Sequence, residues 1–197
     1  MTAASAELDA TSAAADGASP LRHPDRDGRD IGVDSGAIVP FAPPAIGAEE
    51  IAEVVEALES GWLSTGPRVR RFEAAFAAYA GAEHAIAVNS CTAALHLSLL
   101  AAGIGRGDEV VTTPLTFCAT ANVVIHAGAT PVFADVDPDT FNLDPQRTVD
   151  AVTARTRALL PVHFAGRPAD MVAFRALAAR AGVTVIEGAP HCVGGSA

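Results

Sequence analysis

The sequence contains no lysine: all thirteen basic residues are arginine. A side-chain amine is what a protein offers a carbonyl compound for a Schiff base, so this chain has none to give. Cysteine is scarce as well. Cys91, Cys118 and Cys192 are odd in number and widely spaced, which argues against a disulfide framework and for reduced thiols in a cytoplasmic protein. Long apolar runs are missing; glycines, prolines and charges interrupt each one well before the roughly 18 residues of a membrane span. Residues 1–15 lack both a basic start and a hydrophobic middle, so no secretory signal is read there. A net charge of −10 argues against non-specific nucleic-acid binding, which needs clustered Lys and Arg to neutralise phosphates.

What is present fills one domain core plus a tail, at 197 residues. Residues 1–36 carry seven acids against three arginines without hydrophobic periodicity, and are expected to be a disordered tail. Order is expected from about Ile38. Ala48 to Ser60 reads as an amphipathic helix with Ile51, Val54, Val55 and Leu58 on one face, stopped by Gly61. Trp62 opens a turn; packing is its default role, with ligand stacking as the alternative. A second helix, Arg68 to Ala80, puts Val69, Phe72, Phe76 and Tyr79 at helical spacing, and that stripe is expected to be core.

The chain then alternates. Strands are expected at His84–Val88, Glu109–Thr113, Thr130–Ala134, Ala158–His163 and Val183–Glu187, with helices between them. This βαβαβαβαβ order predicts an α/β protein with a mainly parallel sheet and helices on both faces. Gly103-Ile104-Gly105-Arg106-Gly107 follows a helix and precedes a strand, the reverse of a dinucleotide fingerprint. The loop Asp135-Val136-Asp137-Pro138-Asp139-Thr140 has alternate carboxylates but lacks the glycine and the glutamate of a calcium loop.

In parallel sheets ligands gather beyond the C-terminal strand ends. The tokens there are Ser90-Cys91-Thr92, Thr116-Phe117, His163 and Glu187-Gly188-Ala189-Pro190-His191. Asn89-Ser90-Cys91-Thr92 opens an Ala/Leu-rich helix, where free N–H groups and the helix dipole suit a phosphate. An ordinary βα turn has the same shape. A cysteine nucleophile is a separate reading, with Cys91 at a helix start and His163 or His191 as base. No spacing among His163, His191 and Cys192 matches a zinc pattern. His84, His96 and His126 read as structural or surface residues, and Arg68, Arg70 and Arg71 as a solvated face by default, with contact to an anionic ligand as the other reading.

Six blocks in order carry a family resemblance: Gly61-Trp62-Leu63-Ser64-Thr65-Gly66-Pro67, Asn89-Ser90-Cys91-Thr92-Ala93-Ala94-Leu95-His96-Leu97, Gly107-Asp108-Glu109-Val110-Val111, Thr116-Phe117-Cys118-Ala119-Thr120-Ala121-Asn122, Asp135-Val136-Asp137-Pro138-Asp139-Thr140 and Pro161-Val162-His163. Together they resemble the DegT/StrS sugar aminotransferases, which depend on pyridoxal 5′-phosphate and have the aspartate-aminotransferase fold. The resemblance implies that Ser90, Cys91 and Thr92 hold the cofactor phosphate, that Phe117 stacks on its ring, and that His191 meets its phenolic oxygen. It implies a homodimer that moves an amino group from glutamate or glutamine to a nucleotide-linked keto sugar.

Two departures stand beside these matches. The family's aspartate that pairs with the pyridine nitrogen falls at Gly188, and Pro190 replaces an alanine. The family's Schiff-base lysine lies beyond the region covered. Residues 37–197 therefore read as a partial large domain without its C-terminal half or the small domain, truncated and inactive alone. The alternative is a non-catalytic regulatory module that pairs with a full-length paralogue. An incomplete sheet is further expected to expose an apolar edge.

Overall fold

The computed structural model describes residues 44–195. The proposed tail at residues 1–36 and the start of order near Ile38 lie outside the described residues. The chain divides into two compact units at Leu63 and Ser64.

The first unit carries helix α1, Ala48–Glu59. Glu50 folds back to accept the Gly47 N–H at 2.6 Å, and the backbone hydrogen bonds at this helix start lower its pKa. The apolar stripe Ile51, Val54, Val55 and Leu58 is exposed, and so is Trp62 at 55%. The packing role read for Trp62 is thus corrected.

The second unit opens with α2, Pro67–Ala80, closed by Gly81 in the left-handed region. Its stripe is not core. Phe72 and Tyr79 are mostly exposed and Phe76 partly so. No element of the unit buries that face, and Phe72 and Phe76 instead lie ring to ring at 5.8 Å.

His84–Val88 is no strand. Among the described residues no strand pairs with it, and a strand exists only through its neighbour's hydrogen bonds. The Ala87 N–H goes to the Glu73 carboxylate at 2.9 Å instead, and Ile86 is 83% exposed.

From here the alternation holds. Helices α3 (Cys91–Ala101), α4 (Ala119–His126), α5 (Pro145–Ala151) and α6 (Met171–Ala181) separate the parallel strands β1 (Glu109–Thr112), β2 (Thr130–Phe133), β3 (Thr156–Leu160) and β4 (Thr184–Val185). The sheet order is β2-β1-β3-β4. Successive strand residues face opposite sides, and the packing follows. Val110, Ala158 and Leu160 meet Leu95, Leu99, Val123 and Val124 from α3 and α4. Val111 and Leu159 meet Met171, Phe174, Leu177 and Ala178 from α6. Both faces are therefore covered, which is why all four residues of β1 are buried. Among the described residues no helix is long and apolar enough to cross a membrane.

Glu109, at the start of β1, has only 5% of its surface exposed. The Thr153 hydroxyl and the Arg155 guanidinium both donate to its carboxylate. The Thr153 bond first, then Arg155, holds its pKa below the ordinary value of 4.5. A carboxylate with a lowered folded-state pKa contributes stability above its unfolded value and loses it as pH falls through the folded one. Urea midpoints should therefore drop as pH is taken below 4.5, and Glu109→Gln should flatten that slope while lowering the neutral-pH midpoint.

Candidate active site

The candidate residues come from four places around the C-terminal ends of the strands. At the start of α3, Ser90 adopts extended backbone and its Oγ accepts the Ala93 N–H at 3.1 Å, as an N-cap does. Ser90, Cys91 and Thr92 are exposed, and among the described residues the Cys91 and Thr92 N–H groups have no hydrogen-bond partner. Two free donors at the positive end of an eleven-residue helix form an open anion cradle.

Beyond β1, the Thr113 hydroxyl accepts the Leu115 N–H at 3.0 Å, and the hydroxyls of Thr116 and Thr120 pair at 2.9 Å. These bonds shape the bend that leaves Phe117 just ahead of α4 with 78% of its surface exposed.

Beyond β3 and β4 the two chain segments stay together. Gly188 donates its N–H to the Pro161 carbonyl at 2.9 Å, and its own carbonyl accepts the His163 N–H at 3.0 Å. His163 is buried. Its Nδ1 accepts the Ala169 N–H at 3.0 Å, so that nitrogen carries no proton. The proton sits on Nε2, which donates to Glu187 Oε2 at 3.2 Å. The other oxygen of Glu187 lies 3.7 Å from Arg175 on α6. Both ring nitrogens of His163 are thus engaged, which removes it as a base for Cys91. Among the described residues no cluster of three or more His, Cys, Asp or Glu side chains could hold a metal. In the loop Asp135–Thr140, Asp137 Oδ1 accepts the Asp139 and Thr140 N–H groups instead, and those hydrogen bonds, Thr140 foremost, lower its pKa.

His191 is exposed in the turn after β4. Its carbonyl oxygen lies against Gly166, at 2.8 Å from where a Cβ would stand. That contact, and the buried Asn142 behind it, were not legible from residue types. Asn142 sits in a polar loop with no motif, and only the fold brings it to residues 164–168.

Residues 44–197 match the model of the DegT/DnrJ/EryC1/StrS aminotransferase family. The chain belongs to that family. It is 60% identical over 155 residues to the spore coat polysaccharide biosynthesis protein SpsC of Bacillus subtilis (strain 168), covering 79% of this chain and 40% of that protein. Among solved structures, DesV of S. venezuelae matches with a TM-score of 0.71 and 46% identity, over 74% of this chain and 40% of DesV. Spr1654 of Streptococcus pneumoniae in its PLP form matches with a TM-score of 0.68 and 39% identity, over 71% and 36% of the two chains. The chain thus spans about 40% of the length of the relatives it matches.

Pyridoxal 5′-phosphate is the cofactor of the family. The open α3 N-terminus fits its phosphate. Position 188, where the resemblance would put the carboxylate that pairs with the ring nitrogen, is a buried glycine. Glu187 does not take over, because His163 and Arg175 hold its side chain. A side chain at 188 would start 3.2 Å from Val162 Cγ2, so the space is tight but not closed.

Proposed function

We propose that these residues form the phosphate-holding part of a sugar aminotransferase whose substrates are a nucleotide-linked keto sugar and glutamate or glutamine. The observation that carries this is the Ser90-capped N-terminus of α3, with the Cys91 and Thr92 N–H groups free. When bound, the cofactor supplies an electron sink for carbanion chemistry. The chain's own part is binding and orientation. Ser90, Cys91 and Thr92 grip the phosphate, Phe117 offers a flat apolar face, and His191 offers a ring nitrogen to the phenolic oxygen. No group here performs the covalent step. With no lysine and no acid at Gly188, the 197 residues alone bind the cofactor weakly and do not turn it over. A homodimer belongs to the same proposal.

A second reading, a regulatory module that pairs with a full-length relative, is favoured by the bare apolar side chains of Phe72, Tyr79 and Ile86. Light scattering with and without such a relative separates the two.

Calorimetric titration tests the first reading. Pyridoxamine 5′-phosphate should bind roughly tenfold or more tightly than pyridoxamine, the worth of about 1.4 kcal/mol from the phosphate. Ser90→Ala should remove much of that difference. Equal affinity for both amines would overturn the assignment of α3.

A further inference from the structure

Two buried side chains, Asn142 and His163, do structural work on one short loop. Residues 164–168 connect β3 to α6 through a single tight turn, Phe164–Gly166, in which Ala165 and Gly166 both take positive φ, +50° and +85°. Such a backbone persists only where its surroundings over-determine it. Here they do. Asn142 Oδ1 accepts the Phe164 N–H at 2.8 Å, and its Nδ2 donates to the carbonyls of Arg167 and Pro168, both at 3.1 Å. Asn142 is 4% exposed, and this donor and acceptor pattern admits one amide orientation only. His163 closes the base of the same loop by accepting the Ala169 N–H, and its Nε2 ties that base to Glu187. Arg167 adds a bond to the Asp139 carbonyl at 3.0 Å, and Phe164 packs on Phe141 with ring centroids 5.9 Å apart.

What the held loop touches is the site. Gly166 lies directly against the His191 carbonyl, so close that a Cβ would stand 2.8 Å from it. The Glu187 bond and the Gly188 carbonyl acceptor fix the strand that leads into that turn.

We infer that Asn142 and His163 are positioning residues for His191. They hold the 164–168 loop as a seat, and Gly166 on that seat sets the turn that presents the His191 imidazole. Neither residue touches the cofactor. The inference rests on the cofactor reading only for what His191 is for.

The test uses the whole chain with Asn142→Ala and, separately, Gly166→Ala, which keeps the Asn142 and His163 side chains and adds a methyl that collides with the His191 carbonyl on a backbone of positive φ. The first readout is the rate at which diethyl pyrocarbonate modifies His191, followed by mass spectrometry, with exposed His84 as the internal reference. The second is affinity for pyridoxamine 5′-phosphate. Both variants should change the His191 rate roughly threefold or more relative to His84, and weaken binding roughly tenfold, with helix content unchanged by circular dichroism. Asn142→Asp keeps the Phe164 bond and loses the two donor bonds, so it should fall between wild type and Asn142→Ala.

Wild-type reactivity and affinity in both variants would overturn the inference. If the His191 rate shifts while the wild-type chain binds no pyridoxamine 5′-phosphate, the positioning role stands and the cofactor reading falls. If Asn142→Ala does not fold, Asn142→Asp decides the role of Asn142: a wild-type His191 rate and affinity there would overturn the inference.

Discussion

No transamination faster than that of dissolved pyridoxal 5′-phosphate is the expected result when these 197 residues receive the cofactor, glutamate and a nucleotide-linked keto sugar. Enzymes commonly gain about a million-fold or more over the uncatalysed reaction, and here nearly all of that gain should be missing. A lysine in this chemistry both attacks the cofactor carbonyl and carries a proton, and this sequence has none. His163 does not replace it as a proton carrier, because its Nδ1 is occupied by the Ala169 N–H and its Nε2 by Glu187. With no lysine side chain, the amine left to a polypeptide of this sequence is its α-amino group. The measurement is 2-oxoglutarate formation by a coupled assay, run before and after acetylation of that amine. Enzyme-like turnover that survives acetylation would sink the proposal that the isolated chain is inactive.

Phe174→Ala is expected to cost about 3–5 kcal/mol. Phe174 on α6 has no exposed surface and packs in the cluster of Val111, Leu143 and Leu159 beneath the sheet. Single domains hold only about 5–15 kcal/mol in total, so this one change removes a large share and should leave much of the chain unfolded at room temperature. Phe174→Leu, which keeps most of the volume, should cost far less. Urea denaturation followed by circular dichroism measures both. Equal midpoints for wild type and Phe174→Ala would mean that this face of the sheet contributes little.

Much of this architecture was legible before any coordinates. The strands at Glu109 and Thr130 and the helix that Ser90 opens follow from apolar runs bounded by glycine turns, because burial and chain reversal both leave marks on residue type; the next strand was expected at Ala158–His163 and runs Thr156–Leu160, two residues earlier at its start and three at its end. The position of Ser90 at a helix start was readable for the same reason. Besides the packing role of Trp62, two expectations failed, and they failed alike. His84–Val88 alternates as a strand does, and Phe72, Phe76 and Tyr79 repeat as a buried helix face does. Each pattern records a surface suited to burial, yet pattern does not supply the partner. In residues 64–195 the first finds no strand and forms no ladder, and the second meets only the 189–195 segment, which leaves Phe72 and Tyr79 mostly exposed. The role of Asn142 was illegible for a different reason. Its three partners lie 22 to 26 residues away along the chain, and nothing local distinguishes it from any polar loop residue.

The strand order also governs how this polypeptide emerges from the ribosome. β1 lies between β2 and β3, and Glu109 pairs with Thr156. When β2 has been synthesised, β1 has one neighbour and Val110 and Val111 still lack their second. At about 5–20 residues per second, the 48 residues from Thr113 to Leu160 take roughly 2–10 s to appear. For the first part of that interval β1 is unpaired, and for the last 27 residues, after β2 ends at Phe133 and over roughly 1–5 s, the nascent chain displays a half-paired, valine-rich strand. That window is when chaperones would find it, and synonymous codons that slow translation between β2 and β3 would lengthen it.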